Sequence, residues 1–327
     1  MKICLYYDIN LNDTASFRPH KMGMFYFQLM LSKDRILKLK FLVAVVNASD
    51  IETYGIDAVL EEIVCDLETL ESGVEGPNGI IFAGLYTFIG DNLAAHTVGG
   101  FKCSFVAKHC CLYCKVPTEL LRTLVSEDPS LLRTKEEYDA QVAQLDAAES
   151  VAERDELSMN FGINRGCILN RLKSYHVIGG MPPDSAHDIL EGAFPLVVKN
   201  LLHHFCVSDQ KVMSLNDFNC HLKEFGYFFS DAPPKDFKPQ HLTDKENLHQ
   251  TASQMWTLAV ILPFILGPKI TEENEHWNNF LLLLEVSAIV HGYSASPGII
   301  NYLSVVIEEF LESFKSLYRS FIPKLHF

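Results

Sequence analysis

The sequence predicts a mixed α/β fold, with a sheet-rich N-terminal part followed by a large, mostly helical region. Three observations predict it. Three β-branched or aromatic runs, KICLYYDI, MGMFYFQLML and LKFLVAVV, occupy residues 2–9, 22–31 and 39–46. A stretch of apolar positions at three- and four-residue spacing comes next, the mark of an amphipathic helix. From Leu215 to the end, helical patterns dominate.

In chain order, residues 2–9 read as a strand ending at Asp8, and the polar segment 10–18 as a turn. Residues 22–31 and 39–46 read as the second and third strands, joined by hairpin-like connections. Asn47 to Asp50 forms a capping run before IETYGIDAVLEEIVCDLETLES. There Ile56, Val59, Leu60, Ile63, Val64, Leu67 and Leu70 define one helix. Gly73, Gly76, Pro77 and Gly79 end it, and residues 80–89 read as a fourth strand leading to Asp91. With three antiparallel strands and a helical crossover, strands one and four can lie side by side. Asp8 and Asp91 would then meet at one edge of the sheet. Neighbouring carboxylates repel, and a divalent cation relieves that repulsion. Such a pair is the core of a two-metal phosphoryl-transfer site. A strand-end Asp is, however, more often a turn or cap residue.

About twenty residues further on, Cys111 and Cys114 form a C-x2-C pair. Two thiolates on one tight turn suit zinc; redox pairing and accident are the alternatives. The chain has nine cysteines, an odd number scattered in apolar contexts, which fits a reducing compartment better than a disulfide scaffold. The N-terminal apolar run is too short for a signal peptide. The longest apolar stretch, MWTLAVILPFILG, is broken by Pro263 and falls short of the roughly 20 residues of a spanning helix. The expectation is a soluble, intracellular protein without a membrane partner. A formal net charge of −14 argues against a free-standing nucleic-acid binder, because phosphate neutralisation needs Lys and Arg.

Residues 116–158 are polar and charged, and EEYDAQVAQLDAAESVAERDEL reads as an exposed helix with a solvated face. Pro182 and Pro183 punctuate the chain, and Asp184 or Ser185 can cap the helix that follows. His187 and Glu191 are four apart and share a face. Capping and a favourable helix-dipole interaction explain these residues better than metal ligation on spacing alone. Further helices are read in QTASQMWTLAVILPFILG, HWNNFLLLLEVSAIVHGY and GIINYLSVVIEEFLESFKSLYRSF. The second is apolar almost all round over Leu281–Leu284 and Val286, so it is expected to be buried, with Glu285 alone in the run as a functional or base-paired acid.

The segments LYYDIN, MGMFYFQL, LVAVVNASDIETYGIDAVLEEIVCDL, FIGDNLAAH, GFKCSF, CLYCK, PPDSAHDILEG, TASQMWTLAVILPFILG and HWNNFLLLLE together resemble a known family. It is the catalytic region of animal transposon-encoded DDE/DDD transposases, in the group that includes CACTA-like and hAT-like elements. The resemblance covers nearly the whole chain. It implies an RNase H-like mixed-sheet core over residues 1–115, a polar helix and linker over 116–180, a helical insertion over 181–321 and the start of a last core strand over 322–327. It implies that Asp8 and Asp91 match the first two catalytic acids and would hold catalytic Mg²⁺. It implies that Cys111, Cys114 and His187 match a structural zinc pattern, with Asp184, Asp188 and His326 as candidates for a fourth ligand on chemistry only. The third acid of such proteins follows the last core strand, so the chain is expected to be truncated, with Glu285 as a substitute candidate. The expectation is a transposase-derived protein whose ancestral activity is metal-dependent DNA cleavage and strand transfer, inactive as this chain. The alternative is a domesticated, non-catalytic protein-interaction module. DNA is then the ancestral partner and the nucleus the expected location, both from the resemblance alone.

Overall fold

The computed structural model describes residues 1–8, 22–30, 40–103, 107–243, 246–292, 294, 296–318 and 322–326. They form two compact units: Met1–Leu121 with Asp128–Asp184, and Arg122–Glu127 with Ser185–Phe327. The turn expected at 10–18 lies outside the described residues.

The first unit is mixed α/β. Its elements are β1 (Lys2–Asp8), β2 (Met22–Met30), β3 (Lys40–Asn47), α1 (Ala48–Tyr54), α2 (Ile56–Ser72), β4 (Val74–Gly76), β5 (Gly79–Ile81), β6 (Gly84–Ile89), α3 (Asn92–Gly99), α4 (Lys135–Asp146), α5 (Val151–Phe161) and the short α6 (Val177–Gly180). Four strands form one sheet in the order β3-β2-β1-β6. β2 runs antiparallel to both β1 and β3, while β1 and β6 are parallel, as the strand–helix–strand order anticipates. Alternation along β1 buries Ile3, Leu5 and Tyr7 in the same cluster as Ile56, Leu60, Ile63, Val64 and Leu67 of α2. Each such aliphatic side chain contributes about 1.5–3 kcal/mol on burial, which holds α2 over the sheet.

Three local expectations are corrected. The single helix expected after Asn47 is two helices, because Gly55 adopts φ +80, a left-handed conformation open chiefly to glycine. The strand expected over 80–89 is split. β5 pairs with β4 in a tight hairpin, and Ala83 donates its N–H to the Leu70 carbonyl before β6 begins. The polar helix expected after residue 134 is also two, α4 and α5. Ser150 caps the second by accepting the Glu153 N–H, and Tyr138 and Leu145 are buried in the core of this unit instead of facing solvent.

The second unit is helical: a π-helix (Ala186–Ala193), α7 (Phe194–Cys206), α8 (Leu215–Glu224), α9 (Ala252–Ile265), α10 (Glu275–Val290) and α11 (Pro297–Leu317). Its core joins Phe194, Leu201, Phe205, Phe218, Leu258, Leu262, Phe280 and Phe314. α9 begins with a reciprocal cap: Thr251 Oγ1 accepts the Gln254 N–H, and Gln254 Oε1 accepts the Thr251 N–H. α10 is not buried all round. Trp277, Phe280, Leu283 and Val286 face the core, but Leu281 and Glu285 are exposed. Ser185 makes no side-chain cap, and the segment after it winds as a π-helix. Residues 323–325, expected to begin a strand, form a single 3-10 turn. Among the described residues, no helix is long and apolar enough to cross a membrane.

Candidate functional site

The register of β1 on β6 runs to Tyr6 against Ile89. It leaves Asp8 at the end of β1 and Asp91 two residues beyond the end of β6. The strands approach closely there: a Cβ on Gly90 would lie 3.3 Å from the Tyr7 carbonyl oxygen and 2.8 Å from the Ala94 methyl. The sequence expectation that the ends of the first and last strands of this sheet lie together therefore holds at the level of the backbone. The side chain of Asp8 is outside the described residues. Asp91 is the N-cap of α3, its Oδ1 accepting the Ala94 N–H at 2.7 Å. Tyr7, stacked on Phe25, lines this end of the sheet. Burial, and then the charge of Asp91, push its phenol up to about 12.

α3 connects this strand end to the cysteine turn. His96 is buried on α3, with Nδ1 2.6 Å from the Asn92 carbonyl oxygen and Nε2 3.1 Å from that of Cys110. Cys111 and Cys114 are both buried and are not in a disulfide. Cys111 Sγ accepts the Tyr113 N–H at 3.3 Å. The hydrogen-bonded Cys114 thiol, and then burial, push the Cys111 thiol well above its ordinary value. Two juxtaposed thiols, one receiving a backbone N–H, are the donor set a thiophilic ion takes, so the residues fit half of a zinc site. Such an ion binds thiolates and would displace the thiol protons.

The turn itself is set by residues that spacing alone did not single out. Arg133, 6% exposed, donates Nε to the Cys111 carbonyl at 3.0 Å and Nη2 to those of Phe161 at 2.9 Å and His109 at 3.3 Å. Burial lowers its pKa, with Cys111 and Cys114 acting in the opposite sense. Backbone bonds from Lys115 to Leu131 and from Arg133 to Tyr113 pair the turn with the following strand-like segment. Gly162 sits at φ +71, and a Cβ there would lie 1.8 Å from the His109 carbonyl oxygen. Tyr138 donates its hydroxyl hydrogen to the Gly99 carbonyl and accepts the Cys167 N–H. The sequence signal for these was a lone Arg, a lone Gly and a lone Tyr in a polar region.

Of the remaining predicted residues, Asp184 ends the first unit, and His187, Asp188, Glu285 and His326 belong to the second. His187 is in the π-helix, its Nε2 3.6 Å from a Glu191 carboxylate oxygen, so the shared face read from four-residue spacing persists in a wider helix. Lys324 donates to the His187 carbonyl. Glu285 accepts the Tyr302 hydroxyl hydrogen at 2.7 Å on the exposed side of α10, so its partner is a tyrosine and not a base. Compared with known proteins, the chain matches no family model and no curated sequence.

Proposed function

We propose that the first unit derives from an RNase H-like nucleic-acid strand transferase of the transposase kind. The observation that supports this reading is the parallel pairing of β1 with β6 in the order β3-β2-β1-β6, with Asp8 ending β1 and Asp91 two residues after β6. In the ancestral chemistry the two carboxylates hold Mg²⁺, which supplies charge stabilisation to the attacking and leaving oxygens of a phosphodiester. Cys111 and Cys114 contribute the thiolates of a structural zinc site that fixes the loop after α3. DNA is the ancestral substrate, and a nuclear location follows from that reading.

We infer that this chain is catalytically silent. Asp91 Oδ1 is engaged in capping α3. Glu285, the substitute acid, is bonded to Tyr302 in the second unit. A nicking and strand-transfer assay on supercoiled DNA with Mg²⁺ or Mn²⁺ is expected to give no product above the buffer control. Product formed by the parent and lost in Asp91→Ala would overturn silence and support the enzyme reading in full.

One observation favours the alternative, a protein-interaction module. β3 is the edge of its sheet, and Phe41, Leu42, Val43 and Val45 on it are each more than two-fifths exposed. An apolar edge strand is a template for an added strand from a partner.

A further inference from the structure

His241, Glu246 and His249 converge in the second unit. One ligand atom of each lies within 4.8 Å of those of the other two. The imidazole rings meet edge to face with centroids 5.1 Å apart. His249 Nε2 is 4.0 Å from a Glu246 carboxylate oxygen. Two imidazoles and a carboxylate form a donor set suited to zinc and its first-row neighbours, and three protein ligands leave coordination positions open.

The ligands Glu246 and His249 are exposed, but their neighbours anchor them. Leu242 and Leu248, the neighbours of the two histidines, are buried in the helical core. Lys199 Nζ donates to the carbonyls of Thr243 at 3.1 Å and Glu246 at 2.6 Å, which ties down the Glu246 backbone. His249 has φ +55, and no other non-glycine residue among those described has a positive φ. Backbone held in that region costs about 1 kcal/mol or more and persists only where the surroundings enforce it. A competing contact is the long 3.3 Å hydrogen bond from the Lys238 N–H to His241 Nδ1. Metal binding at either ring nitrogen gives it up: at Nδ1 by taking the lone pair, at Nε2 by moving the ring proton to Nδ1.

We propose that His241, Glu246 and His249 form a second, exchangeable zinc site of the His2Glu type, independent of the cysteines. The test is calorimetric titration of zinc into the full chain, the Cys111→Ser/Cys114→Ser variant and the same variant carrying His249→Ala. The expected result is that the serine variant still binds zinc and that His249→Ala weakens this binding about tenfold or more, a difference of about 1.4 kcal/mol. Should the serine variant fail to fold, His249→Ala in the parent chain gives the same reading, with one class of zinc sites lost and the other retained. Zinc binding that His249→Ala leaves unchanged, or a folded serine variant that binds none, would overturn the proposal.

Discussion

Around the cysteine turn of the first unit, the buried polar side chains of Arg133, His96 and Tyr138 each bond to backbone groups distant in sequence, beside an apolar cluster that includes Phe101 and Leu112. In the second unit the buried cluster from Leu190 to Phe314 is aliphatic and aromatic. The two kinds of interior respond differently to damage. A buried polar network is satisfied as a whole, and removing one member strands the others without water or a partner. An apolar core yields in steps set by volume, because neighbouring side chains relax partly into the space left behind.

The largest effect is expected at Arg133. Arg133→Met keeps much of the stem but leaves the carbonyls of His109, Cys111 and Phe161 without their guanidinium. A loss of about 3–5 kcal/mol is expected in denaturant unfolding, since each stranded buried carbonyl costs about 1–3 kcal/mol. It should be accompanied by fast amide exchange across residues 108–116, with protection in α9 and α10 retained. A loss under about 1 kcal/mol would mean that water replaces the guanidinium and that the turn stands on its own. A smaller loss, about 1–2 kcal/mol, is expected for Phe280→Leu, which trims a fully buried ring of α10 without stranding a polar group. The same unfolding measurement checks it. If Phe280→Leu cost as much as Arg133→Met, the contrast between the two interiors would fail.

How far each region could be read beforehand follows the same division. The strands over 2–9, 22–31 and 39–46 and the helices α9, α10 and α11 were legible because side-chain periodicity records which face is buried. Their partnership in the sheet was legible from element order alone, since a helical crossover returns the chain parallel to β1. The breaks were not. Gly55 and the β4–β5 hairpin interrupt apolar patterns that would otherwise run on, because tertiary contacts and backbone φ outweigh periodicity at single positions. The exposure of Leu281 and Glu285 was hidden by an apolar run that covers more of α10 than the core requires.

The site divides similarly. Asp91, Cys111 and Cys114 were singled out by residue type and spacing. Arg133, His96, Tyr138 and Gly162, which set the shape around them, act through backbone carbonyls at long sequence separation. Spacing carries no trace of such contacts. The His241–Glu246–His249 cluster was missed for a related reason. Its ligands follow no repeating pattern and sit beside the buried Leu242 and Leu248 and the carbonyls that accept from Lys199.

The account turns most on the claim that the buried Cys111–Cys114 pair is half of a metal site and not an inert pair of thiols. Cobalt(II) titration of the full chain, followed in the near ultraviolet, tests it directly, because only thiolate ligation gives an intense sulfur-to-cobalt charge-transfer band. The account predicts that band in the parent chain and its loss in Cys111→Ser/Cys114→Ser. A folded parent chain without the band, or a band that survives the double substitution, would contradict it.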